Sequence, residues 1–204
     1  MPKSTFYKLA DAKKRNFLSE AYKEFALHSF DSASITNLVK SLGIAKGSVY
    51  QYFTDKEDLY NFLVTNADRQ LNQLHDQACV YNGEDFFDWY TKLLMVEMKF
   101  LLSFPHYALL FQKLTSESTS SQKKLAQELE ELKLRRISAH LPLSLDDSQI
   151  NNLLLARSPI LIFEMLTNNL DLNSIIRAGE AVYLDAKELV SVCTTWVEKL
   201  KDGI

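Results

Sequence analysis

The segment SITNLVKSLGIAKGSVYQYFTDKEDL, residues 34–59, carries two helical patterns separated by a glycine. Ile35, Leu38, Val39 and Leu42 stand at i, i+3, i+4 and i+7, one buried face of a short helix. Ser34 precedes them as an N-cap, because its hydroxyl accepts from first-turn N–H groups that have no helical partner. Gly43 supplies a residue able to turn left-handed at the helix end, and Ile44 follows it as an apolar plug. From Ala45 to Tyr52 a second helix keeps Val49 and Ala45 for the inside and leaves Lys46, Gly47, Ser48, Tyr50 and Gln51 outward. Two short helices joined by a Gly-containing turn, the second polar and basic outside, describe a helix-turn-helix. Phe53 closes the unit, and Thr54 with Glu57 fits a capping box that starts a further helix.

With these residues in place, IAKGSVYQYFTDKEDL resembles the recognition-helix signature of the TetR family of bacterial transcriptional regulators. The matching positions are Ser34, Leu38, Gly43, Ile44, Gly47, Ser48, Val49, Tyr50, Tyr52, Phe53, Lys56, Glu57 and Leu59. The resemblance runs from Asp11 to Leu63, about the first quarter of the chain. Two positions depart from it: Ala45 stands where the family usually has a capping serine, and Ser29 replaces a common glycine. The resemblance implies an all-α fold, with a helix-turn-helix head over residues 1–55 and a helical ligand-binding and dimerisation domain over residues 56–204. It also implies a homodimer on a palindromic operator in double-stranded DNA, acting as a ligand-responsive repressor.

Composition agrees with an all-helical fold. The 204 residues are 47% hydrophobic and 24% charged, ordinary for a globular protein, with only 5 Gly and 4 Pro to break helices. The net charge of −3 argues against a nucleic-acid partner unless it is unevenly distributed. Through Tyr60 there are nine basic and seven acidic residues, so the excess acid lies in the remainder. A basic head on an acidic body fits DNA binding. Cys79 and Cys193 have no Cys or His neighbours at ligand spacing, so no metal site, redox pair or cofactor is expected. The N-terminus lacks an apolar signal-like stretch, and Glu97, Lys99 and Glu164 interrupt the longest apolar runs. A cytoplasmic protein with no membrane partner is the expectation.

Along the chain, Asp11–His28 reads as a helix with Leu18, Ala21, Tyr22 and Phe25 inward and Lys13, Lys14 and Arg15 at its start, where basic residues oppose the helix dipole. A long helix from Asp55 turns Leu59, Leu63, Leu71 and Leu74 inward and can carry movement between head and body. Asn82-Gly83 marks a turn. Phe86–Phe104 is apolar and aromatic up to Pro105, and 106–114 is a further helical piece. Thr115–Ser121 reads as a polar loop. Lys123–Ala139 is an amphipathic surface helix through Leu125, Leu129, Leu132 and Ile137. Asp146 or Asp147 caps a helix reaching toward Leu170, kinked at Pro159. In the last helix, Gly179–Lys201, Leu189, Cys193, Trp196 and Leu200 belong to a near-heptad seam suited to dimerisation.

For DNA, the resemblance assigns Ser34, Lys46, Gly47, Ser48, Tyr50, Gln51, Tyr52 and Lys56. Gly47 permits close approach to the groove, Ser48 and Tyr50 offer hydroxyls to phosphate, and Lys46 and Gln51 can reach base edges. Tyr52 and Lys56 fall near the flanking backbone, Lys56 at a helix start that favours anions. For a small apolar or amphipathic effector, Phe100, Tyr107, Phe111 and Phe163 offer aromatic area, interrupted by Glu97, His106, Arg157 and Glu164 as polar groups. No phosphate loop, nucleophile elbow or paired His spacing marks an enzyme. A protein-interaction module on the same fold and a small-molecule-handling enzyme remain the alternatives.

Overall fold

The computed structural model describes residues 1–116, 120–156 and 186–201. Every regular element among them is a helix: α1 Ser4–Tyr7, α2 Asp11–Leu27, α3 Ile35–Leu42, α4 Lys46–Tyr52, α5 Lys56–Ala78, α6 Phe86–Ser103, α7 Pro105–Ser116, α8 Ser120–Ser138, α9 Asp147–Ala156 and α10 Ala186–Lys201. The all-α class is therefore as expected, with a helix-turn-helix head followed by a helical body.

Local chemistry sets the ends of the head helices. Ser34 Oγ accepts from Asn37 N, and its own N–H donates to Glu24 Oε1 at 2.7 Å, tying α3 to α2. Gly43 takes φ +65°, and the Gly43 and Ile44 N–H groups donate to the Lys40 and Val39 carbonyls. That pairing satisfies carbonyls the helix leaves open at its C-terminus. Ile44 is 36% exposed, so its side chain does not plug the core; it closes the helix end through its backbone N–H alone. The α5 cap also differs from the expected Thr54/Glu57 box. Asp55 is the N-cap, accepting from Asp58 N at 2.8 Å, and Asp58 Oδ2 accepts from Thr54 N at 3.0 Å. Glu57 instead accepts from the Ser121 hydroxyl at the start of α8.

In α2 the buried face is Phe17, Ala21, Tyr22, Phe25 and Ala26, with Leu18 only half-buried. Phe17 is drawn inward by its neighbours: its ring stacks on Phe53 at 5.8 Å and meets Tyr52 edge-on. Along α5, Leu59, Leu63 and Leu71 are buried as expected, whereas Leu74 is exposed and His75 occupies the interior. α6 is the body's central helix, burying residues on nearly all sides, as helices covered by several neighbours do. It stops at Phe104, where a bend of 105° leads into α7. Pro105 causes it, since it disfavours helical backbone in the residue before it while serving as a first helical residue.

The expected polar loop at 115–121 is shorter than read, as α7 runs to Ser116 and α8 begins at Ser120. Within α8, Leu129 and Ile137 are buried, but Leu132 is 52% exposed, on the side facing away from the core. The start of α9 is a reciprocal cap: Gln149 N donates to Asp146 Oδ1 at 2.8 Å and Asp146 N to Gln149 Oε1 at 3.0 Å. The anticipated kink at Pro159 lies outside the described residues.

α10 packs on α6 and α9. Cys193, Val197 and Leu200 are buried within the protomer, and the Cys193 thiol donates to Met98 Sδ at 3.2 Å. Cys193 and Leu200 therefore belong to the protomer's own core and correct the expectation of a dimer seam there. The 4, 3, 4 spacing that a coiled coil uses serves equally for packing on a neighbouring helix of the same chain. Trp196, half-buried, stays at the edge of that face, and the side chain of Leu189 lies outside the described part. Burial among apolar groups pushes the Cys193 thiol up to about 12, so it stays protonated at neutral pH.

Candidate nucleic-acid interface

α4 is held from below by a single buried residue, Val49. Lys46, Gly47, Tyr50 and Gln51 are exposed, and Ser48 is half-buried with its N–H on the Ala45 carbonyl at 2.9 Å. Ala45 is the N-cap and offers no side-chain hydrogen bond, as its departure from the family pattern implies. Ala45 is exposed, so the interior position first assigned to it is not used. Gly47 has no positive φ, and a Cβ built on it meets no other atom within 4 Å. Nothing inside the protein requires glycine at that place. Glycine in a helix costs about 1 kcal/mol relative to alanine, so the residue weakens α4 without a packing return.

The structure gives Lys56 a different task from phosphate contact. Its ammonium donates to the Phe30, Asp31 and Ala33 carbonyls at 2.7, 3.2 and 3.2 Å and lies 4.6 Å from the Phe30 ring centroid. An ammonium has three protons, and all are directed into the turn between α2 and α3. Ser29 completes that turn: its hydroxyl accepts from Ser32 N at 3.3 Å, and its carbonyl accepts from Ala33 N at 2.8 Å. Tyr52 also turns inward, half-buried against Phe17 and Phe6. The exposed reading face thus narrows to Lys46, Gly47, Tyr50 and Gln51, with Ser48 beside them. Ser34 remains at the foot of α3 as a cap.

The sequence reading missed the N-terminal segment. Phe6 is buried among Phe17, Tyr52, Phe53 and Phe62, with centroids 5.1–6.1 Å away. Around it, Lys3 Nζ donates to the Tyr50 carbonyl at 2.8 Å, Thr5 Oγ1 to the Gln51 carbonyl, and Lys3 N to the Tyr52 carbonyl at 2.7 Å. A four-residue helix shows no periodicity, so only the sequence STFY, with one aromatic beside another, hinted at an anchor.

In the body, the proposed effector residues separate into distinct settings. Glu97 is fully buried, with Oε1 3.6 Å from His75 Nε2, a partner that sequence reading had not given it. Phe100 packs on Tyr107 at 5.3 Å, and Tyr107 on Tyr22 of the head at 4.3 Å. Phe111 is buried, with the Lys133 ammonium 5.9 Å from its ring. His106 faces α2, near Lys23 and Glu20, and burial lowers its pKa from 6.5. Arg157, Phe163 and Glu164 lie outside the described residues. A cleft of about 440 Å³ lined by Asn72, Asp76, Leu132, Arg135 and Arg136 contains none of these candidates.

Head and body meet in a polar and aromatic junction. α2 packs more extensively on α7 than on α3 or α5. The Tyr22 hydroxyl donates to the Leu63 carbonyl at 2.9 Å and accepts from Asn66 Nδ2 at 3.0 Å, while Arg69 donates to Asn66 Oδ1 at 2.6 Å. Gln70 Nε2 donates to the Tyr107 hydroxyl at 3.3 Å. Burial pushes both phenols above their ordinary range. Such satisfied buried groups fix one relative orientation of the elements that share them.

These features define a helix-turn-helix protein whose second helix presents an exposed polar face and whose head packs on further helices. Residues 17–62 match the model for bacterial regulatory proteins of the tetR family. Over that segment the chain is similar to the TetR family. It is 27% identical over 82 residues to the uncharacterized HTH-type transcriptional regulator YdgC of Bacillus subtilis, covering 40% of this chain and 42% of that one. Against the HTH-type transcriptional repressor Rv1474c of Mycobacterium tuberculosis it is 27% identical over 109 residues, 48% of this chain and 56% of the relative. The chain thus spans about half the length of the curated relatives it matches. In fold it is similar to a TetR family transcriptional regulator from Chloroflexus aurantiacus, with TM-score 0.74, 24% identity, and 100% and 98% of the two chains covered. FadR from Bacillus subtilis in complex with stearoyl-CoA has TM-score 0.61 and 17% identity, with 93% and 98% covered. No single helix among the described residues is long and apolar enough to cross a membrane.

Proposed function

We propose that this chain is a DNA-binding transcriptional regulator, a ligand-responsive repressor that acts as a homodimer on a palindromic operator. The observation that carries the reading is α4: a short helix fixed by Val49, whose exposed Lys46, Gly47, Tyr50 and Gln51 have little to do for the fold. Residues 1–55 read the operator, and residues 56–204 bind the effector and hold two copies together. Gly47 admits the helix to the major groove, Lys46 and Gln51 contact base edges, and Ser48 and Tyr50 contact phosphate. Two-fold pairing of heads places the recognition helices in successive major grooves, so operator symmetry mirrors protein symmetry.

The effector is a small apolar or amphipathic molecule, recognised through the aromatic body around Phe100, Tyr107 and Phe111. An acyl-CoA-like ligand is compatible with this, given the stearoyl-CoA complex of the FadR neighbour. Selection of genomic fragments with the purified protein tests the reading: repeated enrichment of an inverted repeat supports it. Enrichment of no sequence above bulk DNA, at any salt concentration between low and physiological, overturns it.

A further inference from the structure

We propose that residues 1–8 clamp the recognition helix, with Lys3 and Thr5 as positioning residues that hold its last turn in the DNA-reading conformation. This rests on the reading of α4 as the recognition helix. Seven residues are far too few for a helix to be stable alone, the Ala45 cap contributes no side-chain hydrogen bond, and Gly47 weakens the helix further. Tertiary contacts must therefore hold α4, and Val49 is its one buried residue.

The last carbonyls of a helix lack helical partners and carry its partial negative charge. Here the Tyr50, Gln51 and Tyr52 carbonyls each receive a donor from the arm: Lys3 Nζ, Thr5 Oγ1 and Lys3 N. One donor is an ammonium, the charge that best offsets a helix C-terminus. Phe6 anchors the arm in the head core at 1% exposure, so these donors are presented from a fixed base. The tetR-family match begins at residue 17, so the clamp residues precede the matched segment.

The test compares the wild type with Lys3→Met/Thr5→Val, which removes both side-chain donors and retains Phe6, and with Lys3→Arg/Thr5→Ser, which retains the donors. Amide exchange in the free full-length protein is read for residues 50–53. Binding is measured at several salt concentrations to the enriched duplex and to an unrelated duplex. The clamp predicts exchange about tenfold faster in the first variant, the consequence of losing one or two net hydrogen bonds, with α2, α3 and α5 protection unchanged. Affinity for the enriched duplex should fall by a similar factor, with the unrelated duplex and the salt slope unaffected, and the Arg/Ser variant should behave as wild type. Unchanged exchange at 50–53 overturns the clamp, and does so even if the chain binds no operator. Faster exchange with undiminished operator affinity overturns the positioning role. Equal loss on both duplexes with a salt slope shallower by about one makes Lys3 a phosphate ligand instead. Should the double variant lose protection throughout the head, Thr5→Val alone is measured against the same criteria.

Discussion

Lys56 and Gln51 lie five residues apart and have opposite fates. Lys56→Met removes the donors from three carbonyls of the 30–33 turn, and a hydrogen bond from a charged group contributes about 1.5–3 kcal/mol. Melting should show a loss of about 2 kcal/mol or more, while the salt slope of DNA binding stays as in the wild type; a slope shallower by about one would return Lys56 to the phosphate contacts. Gln51→Ala should leave melting unchanged and cost about 1–3 kcal/mol on the operator alone, if Gln51 reads a base edge. Equal losses on operator and random duplex would remove it from the readers. His106 makes a third case, because burial holds its folded pKa below 6.5. The folded state then binds fewer protons than the unfolded chain, so stability is fully present above pH 6.5 and declines as pH falls from there toward the lowered folded value. Urea unfolding midpoints across that range should decline less steeply in His106→Gln, and identical profiles would show that His106 does not contribute.

At the scale of the element, α4 combines weak helix chemistry with an exposed face, and Gly47 makes that trade measurable. Gly47→Ala meets no neighbour within 4 Å and has no positive φ to lose, so helix propensity alone predicts stabilisation of about 1 kcal/mol. In the groove the added methyl group stands where the helix must approach DNA, so operator affinity should fall while the melting temperature rises. If both rise together, Gly47 is not at the contact surface. The head helices were legible for the same local reasons: Ser34, Gly43 and the i, i+3, i+4, i+7 pattern specify their own short segment. Misreadings fell where a neighbour decided the face. Phe17 replaced Leu18 because Tyr52 and Phe53 receive its ring. The Asp55/Asp58 cap replaced Thr54/Glu57 because Glu57 is engaged by Ser121.

Across the whole molecule, the proposed regulation requires an effector to favour a DNA-incompetent arrangement of the heads. The α2–α7 contact made by Tyr22 and Tyr107, tied to α5 through Asn66 and Gln70, offers a route from body to head that works together with α5. A coupling of roughly 1–3 kcal/mol is usual, and by reciprocity operator DNA must weaken effector binding by the same factor. Titrations of an effector with and without operator check this, and equal affinities for a tight body ligand would sink the model for that ligand. Assembly is tested at Trp196, the seam residue left half-buried by α10. Trp196→Asp should keep the helical content and yield monomers with poor operator affinity. A stable dimer in sedimentation would place the interface elsewhere.

Sequence alone determined the helical class, the helix-turn-helix and the exposed face of α4, because each rests on periodicity, capping and turn chemistry within a few residues. Tertiary structure alone decided that Lys56 braces a turn, that Glu97 meets His75, that Cys193 and Leu200 face their own core, and that Lys3 and Thr5 close the end of α4. Those assignments depend on which groups come within reach across 22 to 95 positions of chain. A long polar side chain or an apolar seam is compatible with several partners until packing selects one.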